Sequence, residues 1–242
     1  PPDALPARQV LIADRDLADV RLVVGCRIAP ETPAGSAARD LLREVLNEDL
    51  FARLREETGM AYSVDAEQNV WRGGSAVLFV NAAVRADRAA EAVRVILDRI
   101  AALRDRAVPP SRLEKARWTL ARRTWVRNQS AEETLSTLVD AVREGVPLGG
   151  FSDYGRDLSA SSEEDLAELV APCAGHEIVS AIGPAPLLEP AFAARALSAE
   201  RMSPPPSVTI PAVASTHRAA PPLTRPRPAQ IRLPWHLGPN LD

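Results

Sequence analysis

Leu54-Arg55-Glu56-Glu57-Thr58-Gly59-Met60-Ala61-Tyr62-Ser63-Val64 joins the end of one element to the start of the next. A glycine directly after a periodic apolar run is a helix C-terminal signal, because the backbone there often needs a positive φ. Arg55 then falls in the last helical turn, where a cation suits the carbonyl end of the dipole. Tyr62, seven residues on, rides on the entering strand. The spacing fits two readings. In one, a guanidinium and a phenol converge where helix hands over to strand. In the other, Arg55 complements a dipole on the surface and Tyr62 fills half of a sheet position.

Upstream, Gln9 to Ala13 is a short apolar run that predicts an opening strand. Val20, Leu22, Val24, Cys26 and Ile28 alternate with Arg21, Val23, Gly25 and Arg27, the period of a strand with one face buried. Thr32-Pro33 suits an N-cap and first helical position. The helix it opens places Leu41, Leu42, Val45, Leu46, Phe51 and Leu54 on one side, and Asn47-Glu48-Asp49 is expected to break or bend it. Downstream, a hairpin is expected, with Arg72-Gly73-Gly74 as its turn. Its returning arm, Ala76 to Val84, is apolar on both faces and reads as a central strand covered on both sides. Asp87 is placed to cap the next helix, with a stripe of Val93, Ile96, Leu97, Ile100 and Leu103. Ser111 with Glu114, and Ser161 with Glu164, have capping-box spacing. Between them lies a long helical region whose expected inner face includes Leu113, Ala116, Leu120, Leu135, Leu138, Val139 and Val142, with a break near Asn128-Gln129-Ser130. Ile178 to Ile182 reads as a closing strand.

This order predicts an α+β fold: a mixed, mainly antiparallel sheet with helices packed on one face. Three segments are expected: an α+β domain over 1–185, a short helical connector over 186–202 with its helix at Ala191 to Ala199, and a Pro/Arg-rich tail over 203–242. That tail holds ten of the 22 prolines, too many for interior helix or central strand. It reads as an extended linker, or as an arm laid on a partner with Trp235 as anchor.

Composition narrows the function. With 242 residues, 46% apolar, the chain can build a proper core. A formal net charge of -3 gives no general case for nucleic acid. Cys26 and Cys173 are too few and too far apart in sequence to suggest a disulfide framework or a zinc knuckle. No run is long and apolar enough to span a bilayer. No signal peptide is visible, which favours the cytoplasm, while the start at Pro1-Pro2 without a Met leaves export or processing open. No Gly-rich phosphate loop and no G-x-S-x-G occurs.

The stretch from Phe51 to Leu97 resembles the C-terminal type of domain in the pitrilysin/insulinase family of metallopeptidases (inverzincins), which includes the mitochondrial processing peptidases and their bacterial relatives. Phe51, Leu54, Arg55, Gly59-Met60-Ala61-Tyr62-Ser63-Val64, the Gly73-Gly74 hairpin and the apolar strand leading into the Ala89-to-Ile100 helix carry the likeness. It extends over roughly the first 185 residues.

The resemblance implies two homologous α+β domains facing one another across a chamber. One carries H-x-x-E-H and binds zinc; the other contributes an Arg and a Tyr, seven apart, to the substrate near the metal. Those positions are Arg55 and Tyr62 here, both implied as catalytic and substrate-binding. An oxyanion forming at a peptide carbonyl needs aimed donors, which a phenol supplies; an Arg fork holds substrate main chain or carboxylate. The sequence departs from the family in having no zinc motif. His176, His217 and His236 form neither H-x-x-E-H nor H-E-x-x-H, and Asn47-Glu48-Asp49 stands where relatives commonly have a glycine-rich segment. The expectation is therefore no metal in this chain, zinc in an H-x-x-E-H-bearing partner subunit or domain, and a peptide substrate. The alternative is a family member that kept the fold without the chemistry and serves as a scaffold or peptide-binding subunit.

Overall fold

A computed structural model describes residues 7–29, 36–71, 76–127, 129–144 and 153–202, all within one compact unit spanning Pro1–Pro204. The expected Thr32-Pro33 helix start, the Arg72-Gly73-Gly74 turn and the Pro-rich arm over 203–242 lie outside the described residues.

Among the described residues the sheet has six strands: β1 Gln9–Asp14, β2 Asp19–Ile28, β3 Ala61–Val70, β4 Ala76–Arg85, β5 Ile178–Gly183 and β6 Ala199–Arg201. Their order across the sheet is β3-β4-β2-β5-β1-β6. The β3–β4, β4–β2 and β2–β5 pairs are antiparallel, and β1 lies parallel to both β5 and β6. Alternation in β2 sets one buried face: Val20, Leu22, Val24, Cys26 and Ile28 are buried, and their neighbours on β4 and β5 include Val80, Ala82, Val179 and Ala181. This is the α+β, one-face architecture the sequence predicts. The apolar run in β4 is covered fully on one side and only partly on the other. Ala76, Leu78, Val80, Ala82 and Val84 are buried, whereas on the opposite face Val77, Phe79 and Asn81 are half-buried and Ala83 is buried.

Among the described residues seven α-helices accompany the sheet: α1 Ser36–Leu50, α2 Ala89–Arg104, α3 Pro110–Arg127, α4 Ala131–Glu144, α5 Tyr154–Ala160, α6 Glu163–Val170 and α7 Ala185–Ala193. The break expected at Asn47-Glu48-Asp49 is absent. α1 continues through it and runs into a π-helix over Phe51–Glu57. The three polar residues are bridges rather than breakers. The Asn47 carboxamide binds Ala66 of β3 twice, accepting from its N–H at 2.5 Å and donating to its C=O at 3.1 Å. Glu48 pairs with Lys115 of α3 at 3.4 Å. Asp49 gathers Arg53 at 3.4 Å, Arg99 of α2 at 3.6 Å and Arg112 of α3. β3 is an edge strand, so Asn47 also occupies backbone groups that would otherwise invite pairing by another chain.

Other local signals shift by a residue or are replaced. The box at α6 is Ser162 with Asp165, one position beyond Ser161/Glu164. Neither Asp87 nor Ser111 caps its helix: Asp87 chelates Arg85 at 2.9 and 3.0 Å, and Ser111 lies inside α3. Residues 185–193 form α7, ahead of the expected Ala191-to-Ala199 helix, and buried Leu188 and Phe192 hold it to the core. The expected connector 186–202 thus contains the rest of α7 and β6, which adds a strand beside β1. Cys26 and Cys173 form a disulfide with their Cα atoms 5.1 Å apart, correcting the sequence-based expectation. Their 147-residue separation says nothing about proximity once α6 and the turn after it return the chain to the end of β2. Finally, α4 does not turn its apolar stripe inward: Leu135, Val139 and Val142 are exposed.

Candidate functional site

The helix-to-strand junction has two departures from regular geometry, one behind each candidate residue. The first is the π-helix over Phe51–Glu57. A π turn holds more residues than an α turn, which rotates the face along the axis. Leu54 remains fully buried beneath Leu50, while Phe51, expected on the inner side, is 39% exposed. Phe51 and Arg55 meet on the outside, with the guanidinium carbon 5.3 Å from the ring centroid. This cation–π contact holds against the surface an Arg that has no ion pair among the described residues. Thr58 closes the last turn, its hydroxyl donating to the Arg53 carbonyl at 2.7 Å. Gly59 follows at φ +60°, with open space where a Cβ would sit, so its role is the left-handed backbone itself.

The second departure is a β-bulge at the start of β3. Ala61 pairs with Val84 and Ser63 with Ala83, leaving Tyr62 as the extra residue. Burial confirms the slip: Ala61 and then Ala66 are buried, while Tyr62 and Ser63 are both exposed. Tyr62 is 57% exposed, and its hydroxyl has no hydrogen-bond partner among the described residues. Ser63, Asp65 and Glu67 continue the exposed side of the edge strand, with Glu67 accepting from Asn81 of β4 at 2.9 Å.

Arg55 and Tyr62 therefore lie on adjoining elements that pack on each other. No hydrogen bond joins them, and both point outward. Two cavities elsewhere are lined by neither. One, about 100 Å³, surrounds Asp49 between α1, α2 and the start of α3. Burial there, together with neighbouring Arg53, lowers the pKa of Arg99. The other is a groove along α3. Sequence reasoning missed Phe51 as the rest for Arg55, although an aromatic four residues before a cation on a helix is a recognisable pair. It also missed the bulge, signalled by Ala61 to Val64, a spacing of three where a strand needs two.

Among the described residues no group of three or more His, Cys, Asp or Glu could hold an ion. The junction presents a charged fork and a phenol without a hydrogen-bond partner among those residues, on the exposed side of an α+β domain.

That class matches what the comparisons find. The sequence model described as Peptidase M16 inactive domain matches residues 1–120. The chain belongs to the pitrilysin/insulinase (M16) family, as a C-terminal-type domain. No curated protein matches it. Among solved structures it is similar to a peptidase M16 inactive domain from Pseudomonas fluorescens, with TM-score 0.63 and 17% identity over 75% of this chain and 45% of that one. It is also similar to the periplasmic protease PqqL from Escherichia coli, with TM-score 0.60 and 15% identity over 75% of this chain and 21% of that one. The ferredoxin protease FusC, solved in complex with Arabidopsis ferredoxin, gives TM-score 0.57 and 13% identity over 74% of this chain and 20% of that one. At these identities the likeness is one of fold. The chain spans less than half the length of each.

Proposed function

We propose that this chain is the non-zinc half of a two-part zinc endopeptidase. A companion subunit or domain bearing H-x-x-E-H holds the metal. The observation that carries the reading is the outward presentation of Arg55 and Tyr62 from a π-helix and a bulge, two local distortions that leave both side chains free for another surface. Irregularities of both kinds gather at functional sites. The family assignment, the absence of a metal-binding group among the described residues, and the ferredoxin bound to FusC in that neighbour support a protein or peptide substrate met across an interface.

Within this chain the chemistry is donation and clamping. The Tyr62 hydroxyl donates to the oxygen that gains charge as the scissile carbonyl becomes tetrahedral, and Arg55 holds substrate main chain or a carboxylate. A donor used in the transition state acts on turnover. In the reconstituted complex, Tyr62→Phe lowers kcat by about 100-fold or more with KM little changed, the scale for one lost oxyanion donor. Arg55→Gln raises KM in addition. Unchanged kinetics in Tyr62→Phe, with intact binding of substrate, point instead to the scaffold role.

A further inference from the structure

We infer that the cavity around Asp49 is a binding site for a small dianionic oxyanion of the phosphate type. Neither Arg55 nor Tyr62 lines it, so it stands outside the peptidase chemistry. The cavity, of about 100 Å³, lies between α1, α2 and the start of α3. Three arginines from three elements line it: Arg53 of the π-helix, Arg99 of α2 and Arg112 in the first turn of α3. Asp49 is the one acid among the residues that line it. Its carboxylate pairs with Arg53 at 3.4 Å, with Arg99 at 3.6 Å and with Arg112. Among the described residues none of the three arginines makes another ion pair.

Charge selects the ligand. Three cations around one carboxylate leave a surplus of two positive charges, which a dianion neutralises and a monocarboxylate does not. Three guanidinium groups also carry more N–H donors than the lone pairs of one carboxylate can accept. Arg99 shows the surplus most clearly. At 3.6 Å it is a charge neighbour of Asp49 rather than a hydrogen-bonded partner, and its side chain donates to no other acceptor among the described residues. Burial and then the Arg53 charge disfavour its cationic form, with exposed Asp98 acting the other way. An anion seated between the arginines relieves that repulsion, and guanidinium forks match phosphate oxygens two at a time. The N-terminus of α3 borders the cavity through Pro109 and Arg112, and its dipole adds partial positive charge. Val45, Leu46, Leu103 and Val108 form apolar wall, which strengthens charge pairing beside it. Size agrees as well. A water needs about 10–15 Å³ of such space, so the cavity holds a single phosphoryl group and is too small for a nucleotide.

The test is isothermal titration calorimetry of the full chain at pH 8 and fixed ionic strength, with inorganic phosphate, phenyl phosphate and acetate as probes. The wild type is expected to bind phosphate at one site with a Kd of about 1 mM or tighter. Arg53→Gln and Arg99→Gln should each weaken binding by about tenfold, the scale of one lost charge-assisted hydrogen bond. Each leaves Asp49 with two cations, and circular dichroism checks that the fold is kept. Asp49→Asn should act in the opposite direction and tighten binding, because it removes the acid that competes for the arginines. If that variant fails to fold, the two arginine variants still decide. Tighter binding of phenyl phosphate than of inorganic phosphate identifies a phosphoryl group carried on a larger molecule as the occupant; the reverse identifies the free ion. Three outcomes overturn the inference. One is no saturable heat with either phosphate up to about 20 mM, far above the expected Kd. Another is binding that both arginine variants leave unchanged. The third is acetate binding as tightly as phosphate, since the surplus charge would then select nothing.

Discussion

Removing the Cys26–Cys173 bond should cost this domain a large part of its stability. The bond closes a loop of 147 residues, tying the end of β2 to the turn after α6. In the chain-entropy description, a loop that long restricts the unfolded chain by about 17 cal/mol/K, or about 5 kcal/mol at 25 °C. Typical domains hold only about 5–15 kcal/mol in total, so the bond supplies a third or more of a stability at the upper end of that range. For a chain of this size the loss corresponds to a fall in Tm of roughly 10–20 °C. Both cysteines are buried, so reductant reaches them only through opening, and substitution is the cleaner perturbation. The assay is thermal and urea unfolding of Cys26→Ala with Cys173→Ala against the oxidised parent, with thiol titration of the parent under denaturing conditions. A parent with two titratable thiols, or a double variant whose Tm stays within a few degrees, refutes the reasoning. A bond of this kind also belongs to oxidising compartments, which weighs toward an exported protein.

Three further outcomes follow from particular contacts. Asn47→Ala strips two hydrogen bonds from Ala66 and should destabilise the domain by about 2 kcal/mol, with faster hydrogen exchange at the Ala66 amide. It also opens the β3 edge, so light scattering after mild heating should rise above the parent's. Tyr154 of α5 donates to Asp40 of α1 at 3.0 Å, and Tyr154→Phe should cost about 2 kcal/mol at neutral pH by denaturant unfolding. Burial, and then the Asp40 carboxylate, raise the Tyr154 pKa well above the ordinary phenol value. The folded protein therefore keeps this proton after the unfolded chain has lost it, near pH 10. The contribution is whole below that pH and is lost as pH climbs above it, so the Phe variant should lose stability less steeply in the alkaline range.

Much of the fold was legible because its signals are local. The alternation in β2, the hairpin arms and the stripe of α2 each state a period and a buried face. What escaped depends on partners distant in sequence or on hydrogen-bond patterns without a residue code. Asn47, Glu48 and Asp49 look like helix breakers until β3, α3 and α2 arrive to use them. The switch from α to π at Phe51 has no composition of its own, and it moved Phe51 from the core to the side of Arg55. The disulfide needed the topology that brings residue 173 back to residue 26. The α4 stripe was expected as an inner face and is exposed, because periodicity shows an amphipathic helix without showing what covers it. Arg55 and Tyr62 stood out through family resemblance; their spacing alone favours a surface cation and a sheet tyrosine.

The central claim is that Tyr62 approaches a metal held by another polypeptide, and the composition permits a direct test. Tyr62 and Tyr154 are the chain's two tyrosines, one exposed and one packed against α1. Labelling both with fluorotyrosine gives two fluorine resonances, and the companion's zinc can be exchanged for paramagnetic cobalt before the complex is assembled. The Tyr62 resonance should broaden or shift strongly on assembly while that of Tyr154 stays close to its diamagnetic position. A cobalt-loaded complex that leaves the Tyr62 signal unchanged would contradict the claim.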